Sequence, residues 1–159
     1  MKNLHKISGI IVSLFIVAHL FSHCMAWFGI AKHQETLELF RKLYYIPIIE
    51  IFLISIFAFQ SISGVLLFLT LRKKKNKTSI EKLKMYSGLV LGLFIMQHIS
   101  ATLGQRYFLR LDTNFYFAAN VVVNKPLLFY FVPYYFIGIM SFATHLASIH
   151  FEVPALAKI

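Results

Sequence analysis

Apolar residues run almost unbroken through four stretches of the chain, roughly 7–30, 44–71, 84–104 and 126–149, and the charged residues collect between them. Each stretch is long enough to cross a hydrocarbon core as a helix, which takes about 20 residues. Barrel strands would alternate apolar and polar positions every second residue, and these runs do not. The pattern predicts an all-α integral membrane protein, a four-helix bundle forming a single transmembrane domain over residues 1–159. The first run is far longer than the apolar core of a signal peptide and passes through Trp27 and Phe28 without a clean small-residue cleavage site, so it is expected to stay in the mature protein. The intervening stretches 31–43 and 105–125 are expected to be long loops. Pro47 and Pro126 fall near span starts, where a missing N–H costs little, and Pro133 lies inside the fourth span, where a kink is expected.

Two of the spans echo one another. Residues 8–19 can be laid on residues 87–98 without a gap, matching Ser8-Gly9 to Ser87-Gly88, Leu14-Phe15-Ile16 to Leu93-Phe94-Ile95 and His19 to His98. Polar positions agree as well as apolar ones, which predicts a parallel repeat of two helix hairpins.

Composition agrees with a bilayer as the solvent. The chain is 58% hydrophobic and 14% charged, against about 25% charged residues in an ordinary soluble domain. It has one cysteine, Cys24, so an internal disulfide, a CxxC redox pair, an iron–sulfur cluster and a zinc ribbon are all excluded. The net charge of +10 would suggest a nucleic-acid partner in a soluble protein. Here seven basic residues crowd the single stretch from Arg72 to Lys84, the signature of a cytoplasmic loop and not of nucleic-acid binding. With the N-terminus (Lys2, Lys6) and the tail (Lys158), that side holds ten basic residues against six on the other. Both termini are therefore expected in the cytoplasm, with the protein in a bacterial inner membrane.

Ionisable groups inside a membrane span are costly and mark functional sites by default. His19, His23, His98 and His145 fall within spans. His19 is 13 residues from Lys6 and His98 is 14 from Lys84, so both lie about 20 Å from the cytoplasmic edge. His145 lies on a span of opposite direction, near the cytoplasmic side, at the level of Gln60. The reading gives an outer His/His level and an inner Gln/His level. Two imidazoles facing each other without a cysteine or carboxylate suit an iron porphyrin better than zinc. Haem brings four equatorial nitrogens and needs only axial ligands, whereas zinc wants three or four protein ligands and only His23 is near enough to be a third. The alternative for each histidine is a buried hydrogen bond to a carbonyl of a neighbouring helix.

The motifs resemble the di-haem cytochrome b membrane anchor of type B succinate dehydrogenases and fumarate reductases. His5-Lys6-Ile7-Ser8-Gly9 and Leu14-Phe15 to His19 are similar to that family's first helix, Glu50-Ile51-Phe52-Leu53-Ile54 and Gly64 to its second, Gly88 to Phe94 and His98 to its third, and His145 to the histidine of its fourth. The resemblance implies one outer haem b with His19 and His98 as iron ligands. His145, by its match to the fourth helix, is a further cofactor-binding candidate, but a second, inner haem would need a histidine where this chain has Gln60, so none is expected, and without that partner His145 is left to hydrogen-bond Gln60. The resemblance further implies electron exchange with quinone, with flavoprotein and iron–sulfur subunits or a homo-oligomer as partners. Any catalysis belongs to those partners, since the chain carries no G-x-G-x-x-G or P-loop fingerprint. Arg106 and Tyr107, beyond His98, are candidates for the haem propionates. Glu50 is a candidate proton or quinone contact, or a first-turn helix charge. Trp27, Tyr44 and Tyr45 read as an interfacial aromatic belt. The competing class is a cofactor-free structural or assembly membrane protein whose histidines only tie helices together.

Overall fold

A computed structural model of the chain describes residues 1–156, with side chains to residue 151; Lys158, counted above with the tail, lies outside the described residues. Every element is helical: α1 (Lys2–Cys24) with a 3-10 turn at Met25–Phe28, α2 (Ile30–Tyr44), α3 (Pro47–Leu71), α4 (Ser79–Tyr107), α5 (Phe115–Val123) and α6 (Lys125–Leu156). Four segments are long and apolar enough to cross a membrane: Lys2–Phe28, Pro47–Leu71, Ser79–Tyr107 and Lys125–Phe151. They overlap the four expected runs: the first starts earlier, the third and fourth reach further at both ends, and the second begins three residues later, at Pro47.

Local chemistry sets the boundaries. Gly29, at φ 111°, takes a backbone conformation closed to other residues and turns the chain from α1 into α2. Pro47 occupies the first turn of α3. Thr78 and Glu81 form a capping box at the start of α4, each side chain accepting from the other's backbone N–H, at 3.1 and 2.9 Å. Asn114 caps α5 by accepting from the N–H groups of Tyr116 and Phe117. α6 runs through Pro133 without a break.

The stretches expected as loops contain α2 and α5. The buried positions of α2, which are His33, Thr36, Leu37 and Arg41, follow helical spacing. Its stripe is partly polar, and so lacks the apolar contrast that marks a helix in sequence. α5 is apolar but only nine residues long, too short to register as a span.

Each long helix packs on the next: α1 on α3, α3 on α4 and α4 on α6. Ser8 beside Gln60, Ser87 beside His145 and Glu50 beside Arg106 show that successive long helices run antiparallel. The N-terminus and the 72–78 turn share one end, the base. α2 and α5 lie at the other, the cap. Among the described residues no Cα of α1 comes within 8 Å of one in α4, so the two are bridged by side chains alone. Val12, Phe57 and Ile95 form the buried centre between them. Elsewhere the apolar surface faces outward, with Leu14 68%, Ile51 63% and Phe136 64% exposed. Such a surface is suited to lipid, because about 25 cal/mol is lost for each Å² of apolar area left in water.

Candidate functional site

Polar side chains inside the bundle sort into two layers separated by the Val12–Phe57–Ile95 centre. In the cap-side layer, His19 of α1 and His98 of α4 face each other with ring centroids 6.1 Å apart and planes at 62°. Depth counting along the spans put these two at one level, and the structure brings them together. Each imidazole lies nearly parallel to the phenylalanine four residues before it, Phe15 on His19 at 9° and Phe94 on His98 at 7°. The i, i+4 spacing places both rings on one helix face, so the phenylalanines fix the orientation of the imidazoles. Tyr135 of α6 closes on His98 edge-on at 6.1 Å.

The spacing can be tested against a metal between the rings. With metal–nitrogen bonds of about 2 Å and about 1 Å from nitrogen to ring centre, the centroids of an axial imidazole pair lie about 6 Å apart. His19 and His98 meet that separation. Among the described residues no three His, Cys, Asp or Glu side chains are grouped to hold a metal ion. Two axial donors are what haem asks of a protein.

A line of imidazoles continues toward the cap. His23 meets His19 edge-on with centroids 4.7 Å apart, His33 of α2 follows 5.5 Å from His23, and Phe115 of α5 packs on His33 at 5.2 Å. His33 is 2% exposed. Burial, and then the nearby charge of Arg41, hold its imidazole below the ordinary value.

In the base-side layer, Gln60 of α3 is taken up by α1 and not by α6. Its amide nitrogen lies 3.3 Å from His5 Nε2, and its carbonyl accepts from Ser8 Oγ at 2.5 Å. Because the amide nitrogen donates, His5 Nε2 accepts, and the Nδ1 proton goes to Ser63 Oγ at 2.7 Å. His145 instead turns to α4, with Nδ1 3.1 Å from the Lys84 carbonyl and 3.4 Å from Ser87 Oγ. The expected Gln60–His145 bond is therefore corrected: each side chain is satisfied inside its own hairpin. Gly9 and Gly88 make room for them, since a Cβ at Gly88 would stand 2.7 Å from the His145 ring and one at Gly9 3.1 Å from Gln60 Nε2.

At the cap, Arg106 is committed to Glu50 at 2.5 Å and to the Tyr107 hydroxyl at 2.7 Å, with its guanidinium 4.0 Å above the Tyr45 ring. Glu50 is thus a salt-bridge partner across α3 and α4. Arg41, 7% exposed, pairs with Asp112 at 2.9 Å and Glu38 at 3.1 Å and donates to Thr113 at 3.3 Å, pinning α2 to the segment before α5. Burial pushes the neighbouring Tyr44 hydroxyl up to about 12.

His5, His33 and Arg41 were not legible as interior groups. His5 precedes the apolar run, and the other two sit in what reads as a loop. The signal that was present is the helical spacing from His33 through Leu37 to Arg41. Comparison of the chain with family models, curated proteins and solved structures finds no match.

Proposed function

We propose that the chain is a haem b-binding membrane electron-transfer protein, similar to the cytochrome b anchor of type B succinate dehydrogenases and fumarate reductases, which exchanges electrons with quinone. The observation that carries this reading is the His19–His98 pair, whose imidazoles face each other between α1 and α4 with ring centroids 6.1 Å apart. When bound there, haem supplies a one-electron couple. The chain's own residues do the rest. His19 and His98 would ligate the iron, Phe15 and Phe94 hold their rings in register, and the apolar helices keep water away.

One haem per chain is proposed. In the base layer Gln60 is an amide engaged by His5 and Ser8, and an amide is a poor iron ligand. That layer is tied by hydrogen bonds within each hairpin, which favours a structural role for His5 and His145.

The hairpins also support a parallel repeat. In each, a Ser-Gly step on the first helix receives a polar side chain from the second, Gln60 on Ser8-Gly9 and His145 on Ser87-Gly88. In each, a Phe–His stack follows toward the cap. The basic 72–77 turn at the base supports cytoplasmic termini in a bacterial inner membrane. Flavoprotein and iron–sulfur subunits, or further copies of the chain, are the proposed partners.

The test is the absorption spectrum of detergent-purified protein from haem-sufficient cells. A Soret band at close to one haem per chain is expected. A colourless preparation overturns the reading in favour of a cofactor-free scaffold.

A further inference from the structure

Two buried polar side-chain atoms lack a hydrogen-bond partner among the described residues, and both belong to α2: Nδ1 of His33 and Nε of Arg41. Their residues are 2% and 7% exposed. An unpaired buried polar atom costs its full desolvation penalty, and in a native fold it calls for a water, ion or ligand group that completes it. The Arg41 Nε can only donate. The terminal nitrogens of that guanidinium are already spent on Glu38, Asp112 and Thr113. His33 is gripped between His23 and Phe115, with centroids 5.5 and 5.2 Å away, which hinders the ring from turning out to solvent.

Position gives these two atoms a common meaning. α2 packs on the cap ends of α1 and α3. His33 is separated from His19 by one imidazole, that of His23, which touches both. Arg106 and Tyr107, which the sequence suggested for anion binding, are committed to Glu50 and to each other. Among the described residues, the buried side-chain atoms left without a partner are both on α2.

We propose that α2 is a carboxylate-binding cap, in which the Nδ1–H of His33 and the Nε–H of Arg41 receive the acidic side arms of an iron porphyrin held by His19 and His98. The proposal rests on the haem reading and adds to it a recognition element that neither the spans nor the ligand pair supplies. A carboxylate suits both atoms: Arg41 Nε only donates, His33 donates from Nδ1 in the tautomer the proposal assigns to it, and a carboxylate accepts from several donors at once.

The experiment titrates the full-length chain, purified in detergent from haem-deficient cells, with haemin and with haemin dimethyl ester, which presents the same iron and macrocycle without free carboxylates. Wild type is expected to bind haemin at least about tenfold more tightly than the ester. His33→Ala and Arg41→Met each remove most of that preference, while affinity for the ester and the absorption maxima stay put because the iron ligands are untouched. His33→Asn, whose amide keeps a donor near the Nδ1 position, retains part of the preference. Should Arg41→Met unseat α2 by losing Asp112, the His33 pair of variants still decides. Equal affinity of wild type for the two porphyrins, or an undiminished preference in His33→Ala, overturns the proposal and leaves the haem reading standing. Failure of wild type to bind either porphyrin overturns both.

Discussion

At the scale of single residues, the ligand candidates are held by what lies behind them. Phe94 stacks on His98 and is itself backed by Gly138 of α6, where an added Cβ would stand 2.5 Å from the phenyl ring. Gly138→Ala is therefore expected to displace Phe94, to cost about 1–3 kcal/mol of stability, and to lower haem occupancy by loosening His98. Gly104→Ala, with nothing within 4 Å of the new methyl, is the control and is expected to be neutral or to stabilise α4 by up to about 1 kcal/mol. Thermal unfolding and the absorption spectrum, read on both variants, check the contrast.

His33 gives a pH dependence at the same scale. Its folded-state value is lowered by burial and by Arg41, so below about pH 6.5 the unfolded chain takes up a proton that the folded chain refuses. The associated stability is full above the unfolded value and is lost as pH falls beneath it. Porphyrin-free wild type should lose thermal stability more steeply than His33→Asn between about pH 7 and about pH 5; parallel curves would show that the imidazole is not held neutral. His19 and His98 were readable as a pair because a fixed rise per residue converts sequence distance into depth. His33 and Arg41 showed only their helical spacing, because what buries them is distant in sequence: His23 and Phe115 against His33, Asp112 and Thr113 against Arg41.

At the scale of elements, the four long helices were legible because crossing a bilayer demands length and sustained apolarity. α2 and α5 escaped because neither demand applies to a helix lying at the end of the bundle. The connection between α1 and α2 is Gly29, whose positive φ sets the angle at which α2 returns over the bundle. Gly29→Ala strains that turn by about 1–3 kcal/mol. It is expected to raise amide exchange across α2 while leaving α3 and α4 protected. Uniform exchange rates in variant and wild type would mean that α2 is seated by its own contacts and not by the turn. The base layer teaches a related lesson. Gln60 and His145 were counted to one depth, yet each bonds within its hairpin, because nearest-neighbour helices offer partners before more distant ones can.

At the scale of the whole molecule, the sequence is divided between a lipid-facing exterior, an end-weighted charge and a small set of interior polar groups. The apolar exterior of the four long helices explains why hydrophobic pattern alone gave the architecture. The interior groups fall into a base layer closed by hydrogen bonds within hairpins and a cap layer of imidazoles left facing one another. That asymmetry separates the histidines that tie helices from the facing His19–His98 pair, and it is the reason the proposed single haem is assigned to the cap side. The most direct test is the haem content per chain of purified wild type, His19→Ala, His98→Ala and His145→Ala. Values near one, zero, zero and one are expected. Haem retained in either His19→Ala or His98→Ala, or lost only in His145→Ala, would contradict the assignment.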